Sequence, residues 1–376
     1  MDSPRSLRRA PALPEPDGLV VVALVAAHDE EASIGDTVRA LVDQERRPDR
    51  VVVMADNCSD RTAELARAAG AEVVELTENR HRKSGALNTG FAMLEHEADL
   101  LVTVDADTVL PPDAVGGWIA EFRENGRLAG CSAKFTMRLP ESGRWARLLT
   151  RLQRAEFAKW TDTALHRRDR STTVLAGTAC CLRVSALREV ASGDDREGPW
   201  TYTSLVEDFE LTYRLREREW ETKVSADVRA YTDAMHTVRS LWAQRMKWQS
   251  GTVADLKSFG FNRLTRRDWG QQALGVLAAL NRAAYCALLT VGLALHALQF
   301  RWLWLLPTAV FVANDAKQAL RIPDRDRVDV VLAATLVGQE LFAWLRAGWF
   351  FAAWAEVLAG RTKDRWAVQY AMERAG

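Results

Sequence analysis

From residue 19 to about residue 138 the chain alternates short apolar runs with amphipathic stretches. Four runs, at 19–27, 50–55, 71–76 and 99–104, are rich in valine and leucine and bounded by polar turns, the pattern of strands buried on both faces. Between them Ile34, Val38, Leu41 and Val42 recur at helical spacing, and so do Ala63, Leu65, Ala66 and Ala69. Strands alternating with helices predict an α/β fold with a mainly parallel sheet covered on both sides. Residues 139 to about 262 read as mixed helix and strand, with Gly177, Gly193 and Gly198 marking loops. Three longer apolar runs follow, at 273–298, 302–313 and 328–358. The first is long enough to cross a bilayer, and the first two predict a membrane hairpin. The third is interrupted by Glu340, Arg346 and Glu356, and suits an interfacial helix as well as a span. The expected organisation is a tail over 1–18, an α/β domain over 19–262, and membrane-spanning and interfacial helices with a short tail over 263–376.

Ligands of parallel sheets bind beyond the carboxyl ends of the strands. That directs attention to residues 28–31, 56–60 and 105–107, all three acidic. Val104-Asp105-Ala106-Asp107-Thr108 follows a strand directly, and in extended chain residues two apart project to one side, so Asp105 and Asp107 converge. Oxygen ligands of this kind suit Mg²⁺ or Mn²⁺. Such an ion would bridge two phosphates as a Lewis acid. Asp56-Asn57-Cys58-Ser59-Asp60 offers a carboxylate to a base or ribose; taken alone it reads better as a turn in which Ser59 or Asp60 caps the next helix. Lys83-Ser84-Gly85-Ala86-Leu87-Asn88 opens a helix, where a lysine and free backbone N–H groups can meet a phosphate, although lysines are common at exposed helix starts. Glu207-Asp208 precedes an amphipathic helix over 209–218. The pair either complements the helix dipole or includes a general base whose pKa its neighbour raises. In Gln244-Arg245-Met246-Lys247-Trp248, Gln244 and Trp248 share a helix face with Lys247 beside them. This helix either offers its ring and polar groups to a sugar or packs its aromatic residue in a core, and the pattern leaves both open.

Composition narrows the partners. Lys+Arg and Asp+Glu are 50 each, which gives no basis for a nucleic-acid partner. Eight of the 14 tryptophans lie at or after Trp248, where the long apolar runs are, and Trp favours the membrane–water boundary. The five cysteines, Cys58, Cys131, Cys180, Cys181 and Cys286, have no metal-ligand spacing and fit a reducing compartment. Residues 1–18 are proline-rich, with three arginines clustered in the first half and no apolar core, so no secretory signal is expected. Arg266 and Arg267, and Arg321, Arg325 and Arg327, flank the runs and predict cytoplasmic ends. The expectation is a multi-pass protein of the cytoplasmic membrane with its α/β domain in the cytoplasm.

Taken together, and in this order, these motifs resemble glycosyltransferase family 2, in particular its membrane-associated cellulose, chitin and hyaluronan synthases; the likeness runs from Val20 to Ser258. The resemblance implies a GT-A-type α/β fold followed by a C-terminal helical membrane region. It assigns Ala27-His28-Asp29-Glu30-Glu31 to the nucleotide-contacting turn, with His28 and Glu30 on the donor, and Asp56 to the base. Lys83 and Asp105 complete the donor contacts, and Asp105 and Asp107 take Mg²⁺ or Mn²⁺. Gly177-Thr178-Ala179 resembles the loop beside the acceptor, and Asp208, with Glu207 before it, inherits the catalytic base. Gln244, Lys247 and Trp248 match an acceptor-binding Gln-x-x-Arg-Trp, with lysine replacing the arginine, and His236 stands where many relatives have proline. The implied partners are a nucleotide diphosphate sugar, a carbohydrate or lipid acceptor, the membrane, and a second copy or an export protein. The implied activity is inverting, metal-dependent transfer from a UDP-sugar to a growing polysaccharide, with transfer to a lipid, or non-catalytic donor binding, as the alternatives.

Overall fold

A computed structural model describes residues 13–15, 18–165, 171–172, 174–193, 196–297, 305–360 and 364–374. The tail expected over 1–18 therefore lies largely outside the described residues. The chain divides into two compact units, one of Met1–Thr136 with Thr161–Asp233, the other of Met137–Trp160 with Ala234–Gly376.

The first unit is built on a seven-stranded sheet of order β3-β2-β1-β4-β6-β5-β7, from β1 (Val21–Ala27), β2 (Arg50–Asp56), β3 (Glu72–Leu76), β4 (Leu100–Asp105), β5 (Leu128–Met137), β6 (Ala179–Arg183) and β7 (Glu221–Thr232). β1 pairs in parallel with β2 and β4, and β2 with β3. β6 runs antiparallel to both β4 and β5. The sheet is thus mainly parallel in its first half, where the apolar runs predicted it, and mixed beyond.

Alternation along each strand sends successive side chains to opposite faces. Val21, Ala23 and Val25 of β1 join one core with α1 (Ile34–Val42), α2 (Thr62–Ala68) and α4 (Ala114–Glu124), where Trp118 and Phe122 are fully buried. Val22 and Leu24 join the other with α3 (Arg82–Leu94), α6 (Val184–Ala191) and α7 (Glu207–Glu217). Both faces are covered, which is why β1, β2 and β4 read as unbroken apolar runs. Gly90 lets α3 settle on β1: a Cβ there would come within 2.6 Å of Leu24 Cδ1.

The second unit contains α8 (Val238–Phe259), α9 (Arg266–Ala294), α10 (Leu305–Ala319), α11 (Arg327–Ala334), α12 (Leu336–Leu358) and α13 (Arg365–Arg374), with most of α5 (Arg144–Leu165). The buried guanidinium of Arg151 meets Asp326 at 2.5 Å and Asp329 at 2.7 Å, and Arg154 reaches Asp329 at 3.3 Å. Asp326 and Asp329 also form the capping box of α11, so the same carboxylates start that helix and tie it to α5.

Among the described residues two helices are long and apolar enough to cross a membrane, α9 and, from Gly338, α12. The described part of the run at 302–313, expected as the return leg of a hairpin, falls in α10, and residues 302–304 lie outside the described ones. The run at 328–358 is broken at Thr335, where the backbone is extended and the hydroxyl bonds the Leu332 carbonyl at 2.7 Å. Its second part supplies the other span-length helix among the described residues.

Candidate active site

Strand order places the site. From β1 the chain moves outward to β2 and β3 on one side, then returns to lay β4 on the other, so the carboxyl ends of β1 and β4 flank a topological switch point. His28, Asp29 and Glu30 leave β1 there, Asp56 ends β2, and Asp105 ends β4. Three non-glycine residues that follow β1, β2 and β3 adopt left-handed backbone: Asp29 (φ 53°), Asn57 (φ 49°) and Arg82 (φ 52°). Asp and Asn tolerate this conformation best, whereas an arginine held there costs about 1–3 kcal/mol, a strain that collects at functional turns.

The β1 and β2 exits are stitched together. His28 Nδ1 lies 2.7 Å from the Asp56 carbonyl oxygen. Asp29 accepts from the Ser59 N–H at 2.7 Å, and the Glu30 N–H donates to Thr62 Oγ1 at 2.7 Å. The Glu30 carboxylate accepts from the Ser33 hydroxyl at 2.8 Å. Asp60 accepts from the Glu31 and Thr62 N–H groups at 3.0 and 2.9 Å. Arg61 holds the N-cap position of α2 without a side-chain cap bond, and Asp60, one of the two residues expected to cap this helix, accepts from the N–H of its first residue while also bridging to the turn after β1. Asp56 is buried. Burial pushes its carboxyl above the usual range, with Asn79 and His28 opposing.

A second cluster gathers residues from four distant parts of the chain. Lys83 extends from the first turn of α3 to Asp105 Oδ1 at 2.5 Å and Glu207 Oε1 at 3.4 Å. Burial alone would lower the lysine's pKa, but Asp105, Glu207 and Asp208 outweigh it and hold the ammonium charged. Asp208, in the first turn of α7, accepts from the Gly177 N–H at 3.1 Å and from the Phe209 N–H at 2.8 Å. Its pKa is pushed up to about 6, by burial first and by Glu207 second, against Lys83. The neighbouring charge anticipated from the Glu207-Asp208 pair is therefore the smaller cause.

Asp107 accepts from Thr108 Oγ1 at 3.1 Å and from Thr232 Oγ1, at the end of β7, at 3.2 Å. Burial, then Asp105 and Asp233, push its carboxyl up to about 6. Two carboxylates that crowd each other at a strand end fit a divalent cation, which would relieve that repulsion. A further group, Asp29, Cys58 and Asp60, has ligand atoms within 4.8 Å of one another. Its carboxylates already accept from Ser59, Glu31 and Thr62, and burial raises the Cys58 thiol, so it fits a cation less well.

Gly177 is tight for a reason: a Cβ there would stand 3.2 Å from Lys83 Nζ and 3.6 Å from Asp208 Oδ2. Gly177→Ala is expected to displace the lysine from between its carboxylates. Turnover should fall about ten- to a hundredfold with little change in melting temperature, checked by steady-state kinetics beside a thermal melt.

Some contributors carried no signal in the sequence. The Asn79 carbonyl accepts from Asn57 Nδ2 at 2.8 Å, and Asn79 borders a cavity of about 480 Å³ with Arg80, His81 and Tyr202. His81 and Tyr202 stack there with centroids 3.9 Å apart. Thr232 and Asp233 follow the rule of polar strand exits, which would have found them had β7 been recognised as a strand.

Gln244, Lys247 and Trp248 lie on α8, in the second unit. The Lys247 ammonium sits 3.2 Å from the Trp366 ring centroid, and Trp248 meets Phe157 edge-on at 6.3 Å. Arg245, unremarked in the sequence, is buried between the Phe157 and Trp248 rings, at 4.9 and 4.4 Å, and pairs with Glu156 at 2.9 Å. Gln244 is half-buried on the same helix.

Residues 16–251 match the sequence model of the family described as "Glycosyltransferase like family 2". The chain is 25% identical over 234 residues to a poly-beta-1,6-N-acetyl-D-glucosamine synthase of Staphylococcus epidermidis, covering 61% of this chain and 53% of that protein. It is 25% identical over 251 residues to the synthase of the same name from Staphylococcus aureus, covering 65% and 57%. The chain thus spans about half the length of the curated relatives it matches. Among solved structures, a mannosyltransferase from Pyrobaculum calidifontis, in complex with GDP-Man and Mn²⁺, superposes with a TM-score of 0.58 over 94% of this chain and 92% of that one, at 16% identity. That likeness is one of fold, the GT-A type. With the family model covering well over half of the sequence and the motif order intact at the strand exits, the chain belongs to glycosyltransferase-like family 2.

Proposed function

We propose that this protein transfers a sugar, with inversion, from a nucleotide diphosphate donor, a UDP-sugar, to a growing polysaccharide at the cytoplasmic face of the membrane. The observation that carries this reading is Asp208: a carboxylate with its pKa pushed up to about 6, beside a lysine that also holds the strand-exit carboxylate Asp105. A base must be ionised at working pH yet basic enough to take a proton, and a value near 6 meets both needs. The acceptor hydroxyl attacks the anomeric carbon from the side opposite the diphosphate. Asp208 takes its proton, a new carbon–oxygen bond forms, and the nucleoside diphosphate leaves with the bonding pair. Asp105 and Asp107 would hold Mg²⁺ or Mn²⁺, which as a Lewis acid neutralises charge growing on the departing diphosphate. Asp56 faces the base, and His28 and Glu30 shape the turn that receives the nucleotide. The shared ancestry with synthases of a poly-N-acetylglucosamine favours a polymer product, and Gln244, Lys247 and Trp248 are proposed as acceptor contacts.

The test is turnover of a panel of UDP- and GDP-sugars by detergent-solubilised protein, with Mn²⁺, Mg²⁺ or chelator, scoring released nucleotide and product size. Metal-dependent release with a long product supports the proposal, and one sugar on a lipid would replace the polymer acceptor. No release from any donor, with lipids and oligosaccharides supplied, would leave a binding protein.

A pH profile adds an independent check. Asp208 works ionised, so a raised pKa means activity is lost as pH falls. At saturating metal, kcat/KM is expected to be flat above pH about 7 and to drop tenfold per unit below about 6. A plateau continuing to pH 4.5 would remove Asp208 from the role.

A further inference from the structure

Helix α9 has two distinct long faces. One lies on α12: Trp354 Nε1 donates to Gln272 Oε1 at 3.1 Å, a Cβ on Gly275 would stand 2.9 Å from Phe350, and Arg282 pairs with Glu340 at 2.7 Å. Numbers rise along α9 as they fall along α12, so the two helices are antiparallel, and the one arginine within the apolar stretch of α9 is neutralised by its neighbour. At 100° per residue, Gln272, Gly275, Ala279 and Arg282 fall on a single stripe.

The opposite stripe is of another kind. Leu274, Asn281, Leu288 and Leu295 recur every seven residues, with Leu277, Ala284 and Val291 interleaved, the three-and-four spacing of a coiled-coil seam. Leu274, Leu277, Leu288, Val291 and Leu295 are each more than half exposed. Asn281 is exposed at the centre of this seam and has no hydrogen-bond partner among the described residues. An amide facing hydrocarbon at mid-helix is costly unless another polar group meets it. A carboxamide carries both donor and acceptor, so it satisfies a copy of itself across a two-fold axis.

We infer that this face of α9 pairs with the same face of a second copy of the chain within the bilayer, forming a parallel two-helix seam in which Asn281 bonds the partner copy's equivalent residue. Copies inserted in one membrane share an orientation, so symmetric pairing is parallel and brings each heptad position onto itself. A single asparagine at such a position selects two strands and fixes their register. The inference rests on the proposed membrane location, with α9 as a spanning helix.

The experiment uses the full chain in detergent and in lipid vesicles. Sedimentation equilibrium in density-matched detergent should give the mass of two 42.0 kDa chains, dissociating on dilution into more detergent. Asn281→Leu should weaken association about five- to thirtyfold, as expected for loss of one interhelical polar contact. In a Cys286→Ala background, Leu288→Cys should form a disulfide between copies on mild oxidation in vesicles, and Ala287→Cys, one residue off the seam, should not. Monomer at every dilution, or equal cross-linking at 287 and 288, would overturn the pairing while the protein still floats with vesicles. Failure to float would instead overturn the membrane placement, and the pairing with it.

Discussion

Asp208→Asn is expected to lower kcat by about 10³-fold while the dissociation constant for the donor changes less than threefold. General-base catalysis contributes about 10²–10⁴ in rate, and Asp208 is the carboxylate proposed for that role, its pKa pushed up to about 6. The amide keeps the shape, and its oxygen can still accept from the Gly177 N–H, while the Phe209 N–H keeps the Val206 carbonyl at 3.1 Å. The loop and the start of α7 should therefore hold. Because burial raises the pKa of Asp208, the folded state binds that proton more tightly than the unfolded chain. The ionised side chain is therefore a burden on folding above pH about 6, relieved as pH falls. The asparagine variant, free of that burden, should melt no lower than its parent at neutral pH. Lost turnover, retained donor binding and an undiminished melt together mark a chemical role; a lower melting temperature or lost donor binding would mark a structural one. Donor binding by calorimetry, kinetics and a thermal melt on one preparation decide it.

The second large effect concerns Asp107. Asp107→Asn should raise the Mn²⁺ or Mg²⁺ concentration for half-maximal activity by at least about a hundredfold, since removing even a supporting partner of a ligand typically costs ten- to a hundredfold. Thr232→Val, which removes only the hydroxyl that Asp107 accepts from at 3.2 Å, should shift the same midpoint about tenfold with kcat at saturating metal unchanged. Metal titration of activity, alongside Mn²⁺ binding followed by electron paramagnetic resonance, separates affinity from chemistry. If Asp107→Asn bound Mn²⁺ as its parent does, the strand-exit carboxylates would not be the metal site.

What the sequence alone determined was local. Its short apolar runs were enough to place β1, β2, β3 and β4 within a residue or two, because strands buried on both faces have little choice of composition. The acidic exits could be named for the same reason: a polar group ending a buried strand stands out, and Asp105 with Asp107 needed only the two-residue repeat. The later strands β5, β6 and β7 were not legible individually: β6 is only five residues long and ends on Arg183, β5 sets Gly130, Ser132 and Lys134 among its apolar residues, and β7 is the edge strand with polar residues throughout. Residues 328–358 read as one run because hydropathy does not register a single extended residue such as Thr335.

Tertiary structure decided what depends on distance rather than pattern. Lys83, Asp105, Gly177 and Asp208 come from a helix start, a strand end, a loop and a second helix start, and their meeting follows from strand order and not from spacing. That the Asp56 carboxylate is buried turned on the atoms around it. The pKa values of Asp107 and Asp208 likewise arise mainly from burial, which belongs to the folded chain alone. The sequence could say which residues are able to carry charge and metal; only packing could say which carboxylate is driven to hold a proton, because the cost of a buried charge is set by what the fold brings around it.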